Sequence, residues 1–398
     1  MQTLERIQTA SMPRRGELAV ATFLERLLAG NPAVACQFQF PSGYRAAVGA
    51  RPPEFTIDIR TQRGLRAIQS LNELQICEAY MNDDIDIGGD MQRVIALRDL
   101  LEDQSVWITA WRKLQPLLAG KSKSQEAWVH NHYDSENLQL YFLDAAYNTY
   151  TPGVFEREDE SLEMASERKH RLAFEGLQLK PGDRVLDIGC GWGSFLRFAT
   201  RRGVNVTGIT LSRHQLGWVQ RELIDKEQLP ATLHYGNFFE FEAEGTFDAI
   251  SMLGVIEELA DYERTLERVA RLVKPGGRVY LDFMAATKDF VFPAFISKYI
   301  YQGGTSRVYL PKFTEAATRS PFEIVSIHND RRNYYLTSQH WFNNLERNRN
   351  AVRERFGEKT FRMFRLYLAG LPEMLDARSH LTTAYRVMLE LPKDAIHA

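Results

Sequence analysis

The stretch VLDIGCGWGSF at 185–195 limits what this chain can fold into more than any other part of it. An apolar strand runs straight into a turn with glycine at 189, 191 and 193, and Asp187 stands where the strand ends. Glycines at such a turn let backbone approach a ligand with no Cβ in the way. A ligand-free tight turn would leave the same local signature, so the sequence around it decides. Downstream, DRVLDIG, NVTGIT, ATLHYG, FDAISML and GRVYLDF read as buried strands with helical patterns between most of them. The expected fold class is therefore α/β, an open, mostly parallel Rossmann-like sheet, which binds ligands beside the carboxyl ends of its strands.

Upstream the pattern changes. From about 17 to 105 a helical opening, ELAVATFLERLLAG, gives way to short β-like runs such as FTIDIR, with no internal repeat. The Lys/Ser-rich seam in LLAGKSKSQEAWVHNHYD places a boundary near 121–126. That predicts a smaller mixed α+β amino-terminal domain over 1–120, contacting lipid or a partner, and the α/β domain over 121–398.

Lys plus Arg number 49 against 51 Asp plus Glu, so no global field draws this chain to nucleic acid. Three scattered cysteines, Cys36, Cys77 and Cys190, give neither a disulfide framework nor a zinc site and suit a reducing compartment. His130 and His132 with Asp134 are too close in sequence to converge on a metal without further fixed ligands, so no metal is expected. The start MQTLERIQTASMPRRGELAV has no signal-peptide core, and no apolar run reaches the ~18–20 residues of a membrane span. The expectation is a cytoplasmic protein, peripheral to the inner face of the membrane.

Asp187 and the glycines spell D-x-G-x-G-x-G, close to a dinucleotide fingerprint but with an acid that would repel a pyrophosphate. S-adenosylmethionine, with its cationic amine, suits that acid better. At this point the chain resembles the cyclopropane-fatty-acid synthases, class I methyltransferases that act on double bonds in phospholipid acyl chains. HYDSENLQLYFLD with TYTPGVF, VLDIGCGWGSF, GITLSRHQ, FDAISMLGVIEEL and KPGGRVYLDF carry the resemblance, and LNELQICEAYMNDDIDIGGD is similar to the amino-terminal domain of the phospholipid-acting members. The resemblance implies S-adenosylmethionine as cofactor, unsaturated phospholipid acyl chains as partners and a homodimer. It places Tyr150 and Thr151 at the methionine end over Asp187, Gly189 and Gly191. Thr210, Leu211 and Gln215 would hold ribose and adenine, with Asn237 and Phe238 beside the ring.

Four positions that bind a bicarbonate base in the usual family member are only half kept. Pro152 stands in place of a Cys and Asp282 in place of a His, while Glu257 (followed by Glu258) and Tyr334 match. Proline offers no polar group, and an ionised Asp282 would repel an anion. The expectation is that bicarbonate is not required and that Asp282 is the base, oriented by Glu257 and Tyr334, leading to a methylene- or methyl-branched acyl chain. Cyclopropane formation and a non-catalytic lipid-binding homologue stay open. DFVFPAFISKYIYQGG reads as core or as part of an acyl channel, and the basic run LERNRNAVRERFGEKTFRMFR as the segment that meets head groups.

Overall fold

A computed structural model describes residues 12–28, 34–49, 51–100, 137–259, 261–290, 292–301, 307–378 and 381–394. The boundary expected near 121–126 and the His130, His132 and Asp134 group lie outside the described residues. Two compact units emerge, and no single cut separates them. The first takes Met1–Leu114, Phe292–Ile300 and Arg349–Glu373; the second takes Gln115–Val291, Tyr301–Asn348 and Met374–Ala398.

In the first unit, β1 (Cys36–Gln39), β2 (Arg45–Val48), β3 (Phe55–Ile59) and β4 (Ile85–Gly89) form a sheet in the order β2-β1-β3-β4. Only β1 and β3 run parallel. FTIDI alternates buried and half-buried as a one-sided strand should, and Phe38, Phe55, Ile57 and Ile59 pack with Val20, Ala21 and Leu24 of the helix Arg15–Leu28. Thr61 and Asn72 cap the next two helices, Gln62–Ser70 and Glu73–Met81, by accepting from their first-turn N–H groups. The mixed α+β character read from the sequence holds.

Two arginines of the carboxy-terminal basic run pack into this unit and so drop out of the head-group reading, while Arg347, Arg353, Arg355 and Lys359 stay exposed. Arg362 is 3% exposed and Arg365 6%. The Arg362 guanidinium donates to Glu358, Asp83 and the carbonyls of Tyr80 and Ile85, and Arg365 donates to the Tyr80 hydroxyl and the Ile87 carbonyl. Arg353 pairs with Glu358. Helical spacing alone does not say which arginines turn inward, because Asp83 and the Tyr80, Ile85 and Ile87 groups that receive them lie more than 270 residues earlier in the chain. The apolar stretch around 292–300 also belongs to this unit, where Lys298 and Tyr299 donate to Glu78.

The second unit holds a seven-stranded sheet in the order β10-β11-β9-β8-β5-β6-β7. Its parallel strands are β5 (Arg184–Ile188), β6 (Asn205–Thr210), β7 (Ala231–Tyr235), β8 (Phe247–Leu253) and β9 (Val273–Ala286). All five were legible in the sequence. Two antiparallel strands, β10 (Glu323–Asn329) and β11 (Thr382–Glu390), extend the β9 edge and were not. Leu186, Ile250, Met252, Val279 and Leu281 are fully or almost fully buried, the sign of a sheet covered on both faces. The strand order reverses at β5, with β6 on one side and β8 on the other, so the switch point falls at the glycine turn.

Candidate active site

The turn after β5 has the conformation its glycines foretell. Gly189, Gly191 and Gly193 take φ of 69°, 54° and 73°, a region disfavoured for residues with a Cβ. A Cβ at Gly189 would come within 2.4 Å of the Val255 side chain, whereas one at Gly191 would meet nothing nearer than a carbonyl at 3.9 Å. The first glycine thus admits a neighbouring loop, and the second leaves open space beside the cavity. Cys190 is buried with its N–H bonded to the Ile209 carbonyl, and burial pushes its thiol far up, as suits an inert loop residue.

A cavity at these strand ends is walled by Tyr150, Thr151, Asp187, Gly189, Gly191, Thr210, Leu211, Gln215, Asn237 and Phe238. The structure therefore brings together every residue that the sequence assigned to the cofactor. Local hydrogen bonds set several of them. Ser212 caps the helix Arg213–Val219 and fixes Gln215, whose side-chain oxygen lies 3.5 Å from the Thr210 hydroxyl. Asn237 accepts from the Phe239 N–H, turning the chain so that Phe238 packs inward. Asp187 accepts from the Ser251 hydroxyl at 2.6 Å across β5 and β8, and burial raises its carboxyl to about 7. Glycine backbone, a ribose-sized set of hydroxyl and amide groups and one buried acid fit the adenosyl and methionine parts of S-adenosylmethionine.

The three residues proposed for catalysis lie behind that wall rather than on it. Asp282, in β9, is 1% exposed, and its carboxylate lies 2.7 Å from the Nζ of Lys169, which is itself wholly buried on the helix Leu162–Gly176. Burial raises the Asp282 carboxyl while Lys169 pulls it back down. Asp282 is thus not the bare carboxylate that the sequence suggested, and its repulsion of an anion is largely cancelled by its partner. Lys169 also donates to the Thr151 hydroxyl, tying the pair to the cavity wall. Glu257 accepts from the Met284 N–H at 2.8 Å, and burial lifts its carboxyl to about 8. Tyr334 stacks edge-on to Trp341, which packs against Tyr150, so one indole ring stands between it and the cavity residue. Pro152 is buried, and the chain beside it is strapped to the Tyr334 helix by bonds from Gly153 N to Thr337 and Phe155 N to Asn333.

Lys169 was missed, although a signal was present. In LEMASERKHRLAFEG the inward positions 162, 165, 166, 169, 170 and 173 carry a lysine and a histidine among small and apolar residues. A charged residue on the core-facing stripe of a helix calls for a buried partner. Glu258 lines the cavity as well, and burial, then the charge of Glu257, pushes its carboxyl well above the usual range. Among the described residues no group of three or more His, Cys, Asp or Glu could hold a metal ion.

Comparison with known proteins places this geometry. Residues 120–382 match the family described as mycolic acid cyclopropane synthetase, and residues 23–105 match a domain of unknown function. A probable fatty acid methyltransferase of Mycobacterium tuberculosis is 28% identical over 89% of this chain and 91% of its own length. A sphingolipid C9-methyltransferase of Gibberella zeae is 25% identical over 85% and 70%. Among solved structures, the mycolic acid cyclopropane synthase CmaA1 with SAH and CTAB is similar at a TM-score of 0.60 and 26% identity, covering 67% of this chain and 98% of that one. Coclaurine N-methyltransferase shares the fold at 17% identity and a TM-score of 0.62, covering 80% of this chain and 98% of that one.

Proposed function

Because the chain belongs to the mycolic acid cyclopropane synthetase family, an S-adenosylmethionine-dependent methyltransferase of lipids, we propose that its acceptor is the cis double bond of an unsaturated acyl chain in membrane phospholipid. The observation that carries this reading is the grouping of Asp187, Glu257, Glu258 and Asp282 at the strand ends, with Lys169 as their buried cation. Methylating a double bond leaves positive charge on carbon, and nearby carboxyl groups that ionise beside it stabilise it. An amine acceptor carries its own lone pair and needs no such sink.

The ten wall residues bind and orient the methyl donor, which supplies an electron-poor methyl group. Thr151 is held in place by Lys169, and Lys169 by Asp282, so the wall facing the reacting end is built on a buried ion pair. With Pro152 offering no donor, we take bicarbonate to be unnecessary and the product to be a methylene- or methyl-branched chain. Cyclopropane formation is the second reading, favoured by the family match. Sphingolipids are a further acceptor class, suggested by the Gibberella relative. We take attachment to the membrane to be peripheral, since no described helix is long and apolar enough to cross a membrane.

The test is methyl transfer from deuterium-labelled donor to vesicles of cis-unsaturated phospholipid, saturated phospholipid or sphingolipid, with mass analysis of the products in bicarbonate-depleted buffer. Label in the unsaturated acyl chains alone is expected. Label only in sphingolipid, or turnover that revives on adding bicarbonate, refutes the corresponding part of the proposal.

A further inference from the structure

Glu258 ends the short turn Ile256–Glu258 just past the carboxyl end of β8. It shares the cavity wall with Thr151, Gly189 and Val255. Its Oε2 is buried and meets no hydrogen-bond partner among the described residues. The neighbouring acids are engaged: Asp187 by Ser251, Glu257 by the Met284 N–H and Asp282 by Lys169. A buried acceptor left unmatched beside a reaction cavity is costly unless it meets a group during the reaction. We propose that Glu258, rather than Asp282, accepts the proton that the methylated acyl chain must lose.

This rests on the alkene reading above. The double bond's π pair forms the new carbon–carbon bond, and the pair of the breaking carbon–sulfur bond stays on sulfur. Positive charge passes to the neighbouring acyl carbon. Glu258 then takes a proton from the added methyl carbon, and the freed C–H pair closes a ring or, after a hydride shift, a methylene double bond. Sulfonium and carboxylate become thioether and carboxylic acid, so charge balances. No external base enters, which accounts for a site without the Cys and His that hold bicarbonate elsewhere in the family.

Before the donor arrives, burial and then the charge of the adjacent Glu257 push the Glu258 carboxyl well above the usual range, towards its protonated form. Asp187 faces the same cavity from β5, and the Lys169–Asp282 pair reaches it through Thr151. A cation entering that space favours the ionised carboxylate. Donor binding should therefore expel a proton, in addition to what turnover shows.

The experiment is titration calorimetry of the full chain with S-adenosylmethionine in buffers of different ionisation enthalpy, paired with methyl transfer to cis-unsaturated phospholipid vesicles. Wild type is expected to release about one proton on binding the sulfonium and less on binding S-adenosylhomocysteine. Glu258→Gln should bind the donor, release fewer protons than wild type because only Asp187 is left to ionise on the cavity wall, and transfer methyl groups at least roughly 100-fold more slowly. Release undiminished in Glu258→Gln, or transfer within a few-fold of wild type, overturns the assignment. Should the Gln variant fail to fold, Glu258→Asp keeps a carboxyl one methylene shorter, and donor binding without proton release there overturns it equally. A wild type that methylates no unsaturated lipid ends the alkene reading itself; a wild type that does, with the Gln variant equally fast, ends only the role of Glu258.

Discussion

Two buried cations serve different ends in this molecule. In the first unit, Arg362 is satisfied at every nitrogen by Glu358, Asp83 and two backbone carbonyls, and Asp83, at 53% side-chain exposure, also reaches water. In the second unit, Lys169 has one acid and one hydroxyl, and its acid, Asp282, meets almost no solvent. A planar fork with five donors suits a joint that must simply hold, whereas a compact ammonium with few partners keeps its field available at a reaction site. The contrast separates a cation that stabilises a fold from one that stabilises a site.

The sharpest way to break that contrast is to remove each cation. Lys169→Met leaves Asp282 buried and uncompensated, so a loss of about 3–5 kcal/mol is expected. Arg362→Met should cost less, about 2–3 kcal/mol, because Asp83 can turn to water while the two carbonyls lose their donor. Urea unfolding of both variants measures this, and a larger loss at Arg362 would reverse the comparison. Donor affinity should be unchanged in Arg362→Met.

Removing both members of the sparse pair is gentler. Lys169→Met with Asp282→Leu should fold within about 1 kcal/mol of wild type, since neither charge is left stranded. Its donor affinity should still fall roughly tenfold, because Thr151 loses the donor that positions it. Full affinity in a folded double variant would make the pair purely structural.

The last comparison concerns pH. Asp187 and Glu257 are raised to about 7 and about 8, so the folded chain holds their protons after the unfolded chain has released them near pH 4. The unfolded state then binds fewer protons, and stability of the ligand-free protein falls as pH rises from about 4 to about 8. Glu257→Gln keeps an acceptor for Met284 and should reduce the slope of that decline across the whole range, so the variant gains on wild type as pH rises from about 4 to about 8. An unchanged slope in the urea midpoints would place Glu257 in a more solvated setting.

What the sequence disclosed follows from how far each feature reaches along the chain. The glycine turn and Asp187 were legible because they are local, and the rest of the cavity wall followed from the family resemblance, each part being set within a few residues, as by the Ser212 cap and the Asn237 turn. β5, β8 and β9 were legible because burial on both faces makes them nearly continuously apolar, and the edge strand β7 because it follows in the alternating strand–helix series. β10 escaped because Val325 and Ile327 stay exposed, which removes the burial contrast that marks a strand. Asp282 was located but its partner was not, since Lys169 stands 113 residues earlier on a helix that reads as ordinary. Arg362 and Arg365 were taken for a lipid-facing surface for the same reason.

The bond between Asp83 and Arg362 spans 279 residues. During synthesis, at about 5–20 residues per second, the acids around Asp83 leave the ribosome tens of seconds before the arginine that joins them. The amino-terminal sheet must wait in that interval with its carboxylates in water. It can reach its final form only when nearly the whole chain has emerged, so a fragment ending at the seam is expected to stay incompletely folded however well its own helices are capped.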